Sequence, residues 1–267
     1  MFDSSAGRLL NAPHSDDGFS VYENGTYRWL SHQGVAHSAM RLDKAYIPVL
    51  PSHLNMLTSL LFNPAPRRIL IIGLGGGELL RFFKHSVKDI DIDVVEISSK
   101  IVELFKQYFS PQNIRSIDGV LSRLYQEDIC TLDLPEMTNR YDMIYLDVYG
   151  DSLLPPCLYQ PMFFQRLKSW LTPVGILNAN FLVQDKQSAL SVLVPMREQF
   201  SSNTLYLEVS GCLNVIALGL KPEDKATNIS ELYERADILS QKFEIDFSVL
   251  IDNLKKINPL YDNGLFI

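Results

Sequence analysis

The stretch Arg68-Ile69-Leu70-Ile71-Ile72-Gly73-Leu74-Gly75-Gly76-Gly77-Glu78 decides the fold. An apolar run ends in a glycine loop, and an amphipathic segment follows. About 20 residues further on, the usual distance in such units, Asp93-Val94-Val95-Glu96 ends a second apolar run in an acid. Strand, glycine turn, helix, strand and acid make a nucleotide-binding βαβ unit. Glycines let the backbone approach a ligand closely and adopt dihedrals that side chains forbid. An acid at the second strand tip accepts hydroxyl hydrogens of a ribose. The unit therefore predicts an adenosine-containing ligand.

A dinucleotide fingerprint asks for glycine or alanine at the sixth loop position, for helix packing and for the pyrophosphate. Glu78 stands there. A carboxylate beside a pyrophosphate is repulsive at short range. The spacing Gly73, Gly75, Gly77 instead suits a loop that wraps S-adenosylmethionine or a relative. NAD(P) is the competing ligand, and glycines that serve only the turn are the plainer alternative.

The 267 residues suffice for one large α/β domain with a small appendage. An apolar fraction of 46% is that of a globular protein with a core. No run approaches the ~18 apolar residues of a membrane span. The first residues are polar and carry no export signature. The expectation is a cytoplasmic protein without a membrane partner. Cys130, Cys157 and Cys212 have no metal spacing and read as reduced thiols. The five histidines show no pairing at ligand spacing, so no metal is expected. A net charge of −7 disfavours nucleic acid, whose phosphates need a basic face.

Along the chain, residues 1–17 read as a flexible arm. Residues 18–62 read as a small β region with a connecting helix, and 63–267 as a Rossmann-like adenosyl-binding domain. Asn24-Gly25 marks a hairpin within Phe19 to Leu30. Gly34 to Leu42 suits a further strand, and His53 to Phe62 has helical spacing. From Arg68, strands at 69–72, 92–96, 124–126, 141–146 and 176–181 alternate with helices at 78–85, 99–108, 160–171 and 188–200. Segments 204–208 and 213–220 follow as a closing antiparallel pair, and 229–257 as two helices. Such alternation predicts a mostly parallel, doubly wound α/β sheet. Ligands of these sheets bind beyond the carboxyl ends of the strands. Gly73, Glu96, Asp128 and Asp147 fall at such ends.

These residues resemble the spermidine synthase family, the polyamine aminopropyltransferases, and in particular a single-domain spermidine synthase-like branch. Ser38-Ala39-Met40, Ile72-Gly73-Leu74-Gly75-Gly76-Gly77 and Tyr141-Asp142-Met143-Ile144-Tyr145-Leu146-Asp147 carry the likeness. It implies a Rossmann-like domain of the methyltransferase type behind a small N-terminal β region, and a homodimer. It implies that Glu96, with Ile97 beside it, holds the ribose. Asp128 receives the adenine amino group, with Ile129 where the family often has a small residue. Asp147 matches the first acid of an Asp-Ser-Ser-Asp signature that assists the attacking amine. The second acid falls on Gly150, with Asp151 adjacent and Tyr149 a plausible neighbour. The acid of the family's glycine loop falls on Gly76 and is missing. The family's N-terminal glutamine falls on His37. Its Tyr-His/Gln-Glu segment falls near Pro51-Ser52-His53, without the tyrosine or the glutamate.

The implied reaction moves an aminopropyl group from decarboxylated S-adenosylmethionine to an amine or polyamine. The nucleophile must be neutral, and an amine of pKa near 10 loses its proton at pH 7 at a cost of about 4 kcal/mol. Acids must grip the cation and one must take the proton. Asp147 is the well-placed candidate. Without a loop acid to repel a carboxylate, intact S-adenosylmethionine becomes an eligible donor. Methyl transfer is therefore the rival, and a non-catalytic nucleoside-binding relative the third reading. Plainer roles stand beside each residue: a solvated strand tip for Glu96, a turn for Asp128, a cap for Asp147, and packing or surface positions for His37 and His53.

Overall fold

A computed structural model describes residues 2, 4–12, 18–110, 123–149, 154–201, 203–221, 227–258, 260–261 and 264–265. Asp151 and Gly150 lie outside the described residues. Strands β1 (Arg8–Asn11), β2 (Phe19–Glu23), β3 (Tyr27–His32) and β4 (Val35–Arg41) form an antiparallel sheet in sequence order. Asn24 makes the β2–β3 turn, its side chain accepting from the Thr26 and Tyr27 N–H groups at 2.9 and 2.8 Å. Arg8–Asn11, within the stretch expected as a flexible arm, pairs with β2. Its short Arg-Leu-Leu-Asn sequence gives too little alternation to announce a strand.

Helix α1 (Pro51–Met56) runs into a 3₁₀ segment, Leu57–Leu61, rather than one continuous helix. The main sheet then takes β5 (Arg68–Ile72), β6 (Asp91–Val95), β7 (Arg123–Tyr125), β8 (Tyr141–Leu146), β9 (Leu171–Leu182), β10 (Thr204–Glu208) and β11 (Asn214–Leu220). Their order is β10-β11-β9-β8-β5-β6-β7. Pairings from β9 to β7 are parallel, and β11 is antiparallel to both neighbours. This is the doubly wound sheet with its antiparallel closing pair.

Between the strands lie α2 (Glu78–Ser86), α3 (Ser99–Leu104), α4 (Pro161–Trp170) and α5 (Lys186–Phe200). Helix α3 widens into a π-turn over Phe105–Phe109. The tail forms α6 (Ile229–Phe243) and α7 (Ser248–Ile257). A small third sheet joins β12 (Thr227–Asn228), β13 (Leu260–Tyr261) and β14 (Gly264–Leu265). Two-residue strands carry no periodicity from which to foresee them.

The pleat sorts β5 between two cores. Ile69 and Ile71 face the Phe82, Phe83 and Phe105 side, with the tail helices. Leu70 and Ile72 face the Phe163, Phe164 and Trp170 side. A strand buried on both faces reads as a continuous apolar run, as Arg68–Ile72 does. The tail clasps α1 and the 3₁₀ segment after it: Asn253 Nδ2 donates to Asn55 Oδ1 at 3.1 Å, and Arg235 Nη1 to the Leu61 carbonyl at 2.9 Å. No helix among the described residues is long and apolar enough to cross a membrane.

Cys130 and Cys157 are joined in a disulfide, with Cα atoms 5.4 Å apart, and Cys212 is free and exposed. This corrects the expectation of reduced thiols. The sequence shows no pairing because the cysteines are 27 residues apart. They meet only when the turn after β7 folds onto the short helix that precedes α4. Closing a loop of that size contributes about 3–4 kcal/mol in the chain-entropy model. Dithiothreitol should therefore lower the urea midpoint of the parent and leave that of Cys157→Ser unmoved; equal midpoints for the parent in both buffers would show an open dithiol.

Candidate functional site

The order of strands reverses between β5 and β8, and a crevice opens there as such topology requires. The ladder stays closed to the strand ends: Gly73 N donates to the Val95 carbonyl and Asp147 N to the Ile72 carbonyl, both at 2.8 Å. Gly73 has φ +94°, and a Cβ there would lie 2.0 Å from the Asp147 carbonyl oxygen. Glycine is thus required for the loop to turn against the end of β8. Gly73, Gly75 and Gly77 line the cavity. Gly76 instead backs onto the N-terminal sheet, where a Cβ would meet Ser38 Oγ at 2.6 Å and the Phe109 ring at 3.3 Å.

Glu96 follows β6 and is 8% exposed. Its carboxylate accepts from Leu74 N–H and Ser98 N–H, both at 2.8 Å. Burial raises its pKa, against the pull of these backbone donors. The carboxylate is thereby fixed across from the glycine loop, in a cavity of about 540 Å³ that it lines. Ile97, 65% exposed, and the buried Ile129 line the same cavity. Asp128 lines it too, while its Oδ1 accepts from Cys130 N–H at 2.8 Å to close its own turn. Arg166 on α4 holds that turn from behind, Nη2 donating to the Ile129 carbonyl at 2.6 Å.

Asp147 and Tyr149 form the opposite wall, facing Phe19, Leu30, His32 and His37 of the N-terminal sheet. Asp147 does not stand alone. Its Oδ2 lies 2.8 Å from His53 Nε2, and its Oδ1 accepts from Asn180 Nδ2 at 2.9 Å. Asn214 Nδ2 donates to Asn180 Oδ1 at 2.9 Å and to the Tyr149 hydroxyl at 3.3 Å. On its far side, His53 Nδ1 is 3.2 Å from Glu78 Oε1. That approach is an ion contact without hydrogen-bond alignment, since Nδ1 has no bonded partner.

Glu78 corrects the reading of the loop. Its carboxylate does not confront a ligand phosphate; it turns into the seam with the N-terminal sheet and is 3% exposed. There it accepts from Ala39 N–H at 2.6 Å, Val49 N–H at 2.7 Å, Leu50 N–H at 3.2 Å and Ser38 Oγ at 3.2 Å. Its place in the first turn of α2 favours the negative charge further.

Burial alone would lower the His53 pKa, but Glu78 and Asp147 outweigh it and raise the value to about 10. Burial alone would raise both acids; the imidazolium outweighs it and holds Glu78 and Asp147 below the usual carboxylate range. Glu78, His53 and Asp147 therefore form a buried anion–cation–anion row with a net charge of −1. Burial and the Asp147 charge push the Tyr149 phenol well above its ordinary pKa. Sequence reasoning took His53 for a packing or surface residue, and did not single out Asn180. The signal for Asn180 was present: Asn178 and Asn180 stand two apart in an otherwise apolar strand, on one face. No cluster of potential metal ligands occurs among the described residues.

Comparison with known proteins fits this geometry. The spermine/spermidine synthase domain model matches residues 52–209, more than half of the chain. A polyamine aminopropyltransferase of Neisseria meningitidis is 26% identical over 260 residues, spanning 96% of this chain and 95% of that protein. The spermidine synthase of Thermotoga maritima has the same fold, with a TM-score of 0.63 at 16% identity over 92% of this chain and 84% of that one. Human methyltransferase-like protein 13 in complex with SAH gives a TM-score of 0.57 at 28% identity, over 73% of this chain and 90% of that one.

Two outcomes follow from this geometry. Glu96→Gln keeps the shape and removes the charge, so adenosyl nucleosides should bind about 1.5–3 kcal/mol more weakly. Calorimetry with methylthioadenosine reads this, and unchanged affinity would reject the ribose assignment. His53→Gln should cost about 3–5 kcal/mol of stability, because two buried acids lose their cation. The double change with Glu78→Gln should cost less. The raised His53 pKa stabilises fully below its ordinary 6.5, a contribution lost as the pH rises towards about 10. The depressed Glu78 stabilises above its ordinary 4.5, a contribution lost as the pH falls towards about 2. Urea unfolding across pH should show the alkaline decline in the parent and not in His53→Gln.

Proposed function

Because the chain belongs to the spermine/spermidine synthase family, whose members are enzymes, we propose that it transfers an alkyl group from an adenosyl sulfonium to an amine. The observation that carries this reading is the pairing of two acids in one cavity across the switch point. Glu96 is held rigidly on the β6 side and Asp147 on the β8 side, with the glycine loop between them. A nucleoside anchored by its ribose at Glu96, and by its base near Asp128 and Ile129, directs its sulfur along the loop towards Asp147. An amine entering between Asp147 and the N-terminal sheet then faces the carbon on sulfur. Its lone pair forms the new C–N bond as the C–S pair returns to sulfur.

The donor that fits best is intact S-adenosylmethionine, with its methyl as the group transferred. Position 76 carries no carboxylate and has no room for one while Ser38 stays in place. Glu78 and Asp147 are both engaged by one imidazolium. Among the described residues, neither acid beside the loop is then free to grip the ammonium of a decarboxylated donor or to repel a donor carboxylate. The likeness to methyltransferase-like protein 13 in complex with SAH supports the same choice. Aminopropyl transfer from decarboxylated S-adenosylmethionine is the second reading. Near-complete alignment with a polyamine aminopropyltransferase favours it.

The test incubates the protein with each donor and a panel of diamines, polyamines and other primary amines, and weighs the products. Methylated amine from the intact donor is expected. Aminopropylated product would transfer the assignment to the second reading, and a bound nucleoside with no product from either donor would end the transfer reading. Gly76→Asp should lose affinity for the intact donor more than for the decarboxylated one, beyond any loss seen in Gly76→Ala. Equal losses in both variants would mean that the substitutions act only by displacing Ser38.

A further inference from the structure

An ammonium cannot attack a sulfonium carbon; something in the cavity must first take its proton. The groups around Asp147 are poor candidates. Asp147 is held below the ordinary carboxylate range by His53. His53 already carries its proton, with both ring nitrogens turned to acids. The Tyr149 phenol stays protonated, and its oxygen receives Asn180 Nδ2 at 2.5 Å. Glu96 is fixed on the ribose side by two backbone donors.

One side chain differs. Strands β3 and β4 pair Leu30 with Ser38 and Ser31 with Ala36, which leaves His37 as the extra residue of a bulge. Bulges re-aim side chains and are common beside active sites. In an unbroken strand His37 and Ser38 would point to opposite faces; here both line the cavity. The His37 ring meets Tyr149 edge-on, with centroids 5.6 Å apart at 83°. Its other ring neighbour is His32, at 5.7 Å. Among the described residues, no hydrogen bond engages either His37 ring nitrogen. Titratable groups face it from two elements: His32 on β3, and Asp147 and Tyr149 after β8. Burial, then His32, lower its pKa against the pull of Asp147, which favours the neutral imidazole.

We propose that His37 is the proton acceptor of the reaction, presented to the incoming amine by the β4 bulge. This rests on the amine-alkylation reading above. The ammonium docks against Asp147 and gives one proton to His37. The freed nitrogen lone pair attacks the carbon on sulfur, and the C–S electron pair goes to sulfur. A secondary or higher ammonium and a neutral thioether result, with the proton on His37. After product release the imidazolium returns that proton to water. Charge is conserved, two positive charges before and two after, and no further reactant is needed. The acceptor class is thus an amine that enters as its ammonium and is deprotonated in place.

The experiment compares the parent with His37→Gln, which keeps size and polarity but takes no proton at neutral pH. Methylthioadenosine affinity should stay within about twofold, since His37 lies off the nucleoside half. Turnover at pH 7 should fall roughly 10²–10⁴-fold, the range for a positioned acid–base group. The parent profile should carry an acidic limb with its midpoint below 6.5, the ordinary histidine value. In His37→Gln that limb should vanish, and rate should instead climb with pH as free amine accumulates. Added imidazole should restore part of the loss. A superposable profile with a loss under threefold would overturn the proposal. NMR titration of the His37 ring in the nucleoside complex gives a reading that does not need turnover: a value above 7 would also overturn it. A parent that binds nucleoside but transfers nothing would remove the alkylation reading, and this inference with it.

Discussion

A single buried imidazolium between two carboxylates governs the arrangement of this molecule. His53 comes from the helix that links the two sheets, Glu78 from the first turn after the glycine loop, and Asp147 from the tip of the central β8 strand. Three segments far apart in sequence are thus fixed by one charge row. Buried ions are costly unless paired and hydrogen-bonded. Glu78 meets that requirement with backbone donors of the N-terminal region, and Asp147 with Asn180. The small sheet is consequently part of the site's electrostatics as well as its wall.

Much of this was legible in the sequence. The apolar run, glycine spacing and acid of Arg68–Glu96 specify the βαβ unit by local periodicity and turn chemistry. The alternation that follows specifies a doubly wound sheet. Strand tips could be read as site positions because topology puts ligands there. What stayed hidden depends on which segments meet in space. Glu78 looked like a ligand-facing residue because sequence gives its position on the helix but not the neighbour across the seam. His53 looked ordinary because a histidine is defined by its partners, which lie 25 and 94 residues away in the chain. The same holds for the Cys130–Cys157 pair, whose spacing carries no motif.

The family relation and the local chemistry pull on different parts of the site. The half proposed for the nucleoside carries Glu96, Asp128 and the glycines by which the chain resembles aminopropyltransferases, without the loop acid. The acceptor half carries two imidazoles: His53 behind Asp147, and His37 on the facing sheet where the resemblance implies a glutamine. An acid-lined acceptor site binds a dication by charge. On the reading proposed above, an imidazole-lined one with a net charge of −1 in its buried row suits a single ammonium, and leaves shape and aromatic contact to choose the rest.

The clasp of the tail helices on α1 has a consequence of another kind. Neither Asn253 nor Arg235 lines the cavity, yet Asn253 holds α1 at Asn55 and Arg235 holds the 3₁₀ segment behind it at Leu61, and α1 bears His53. Sequence drift in the tail is therefore not neutral background. A change that rotates α1 by a fraction of a turn would draw the imidazolium away from Asp147 and turn an anion that is held in place into one that must find another cation. The same residues at the loop and the strand tips would then present a different charge to the cavity. In this fold substrate preference can be inherited from a segment that no substrate touches.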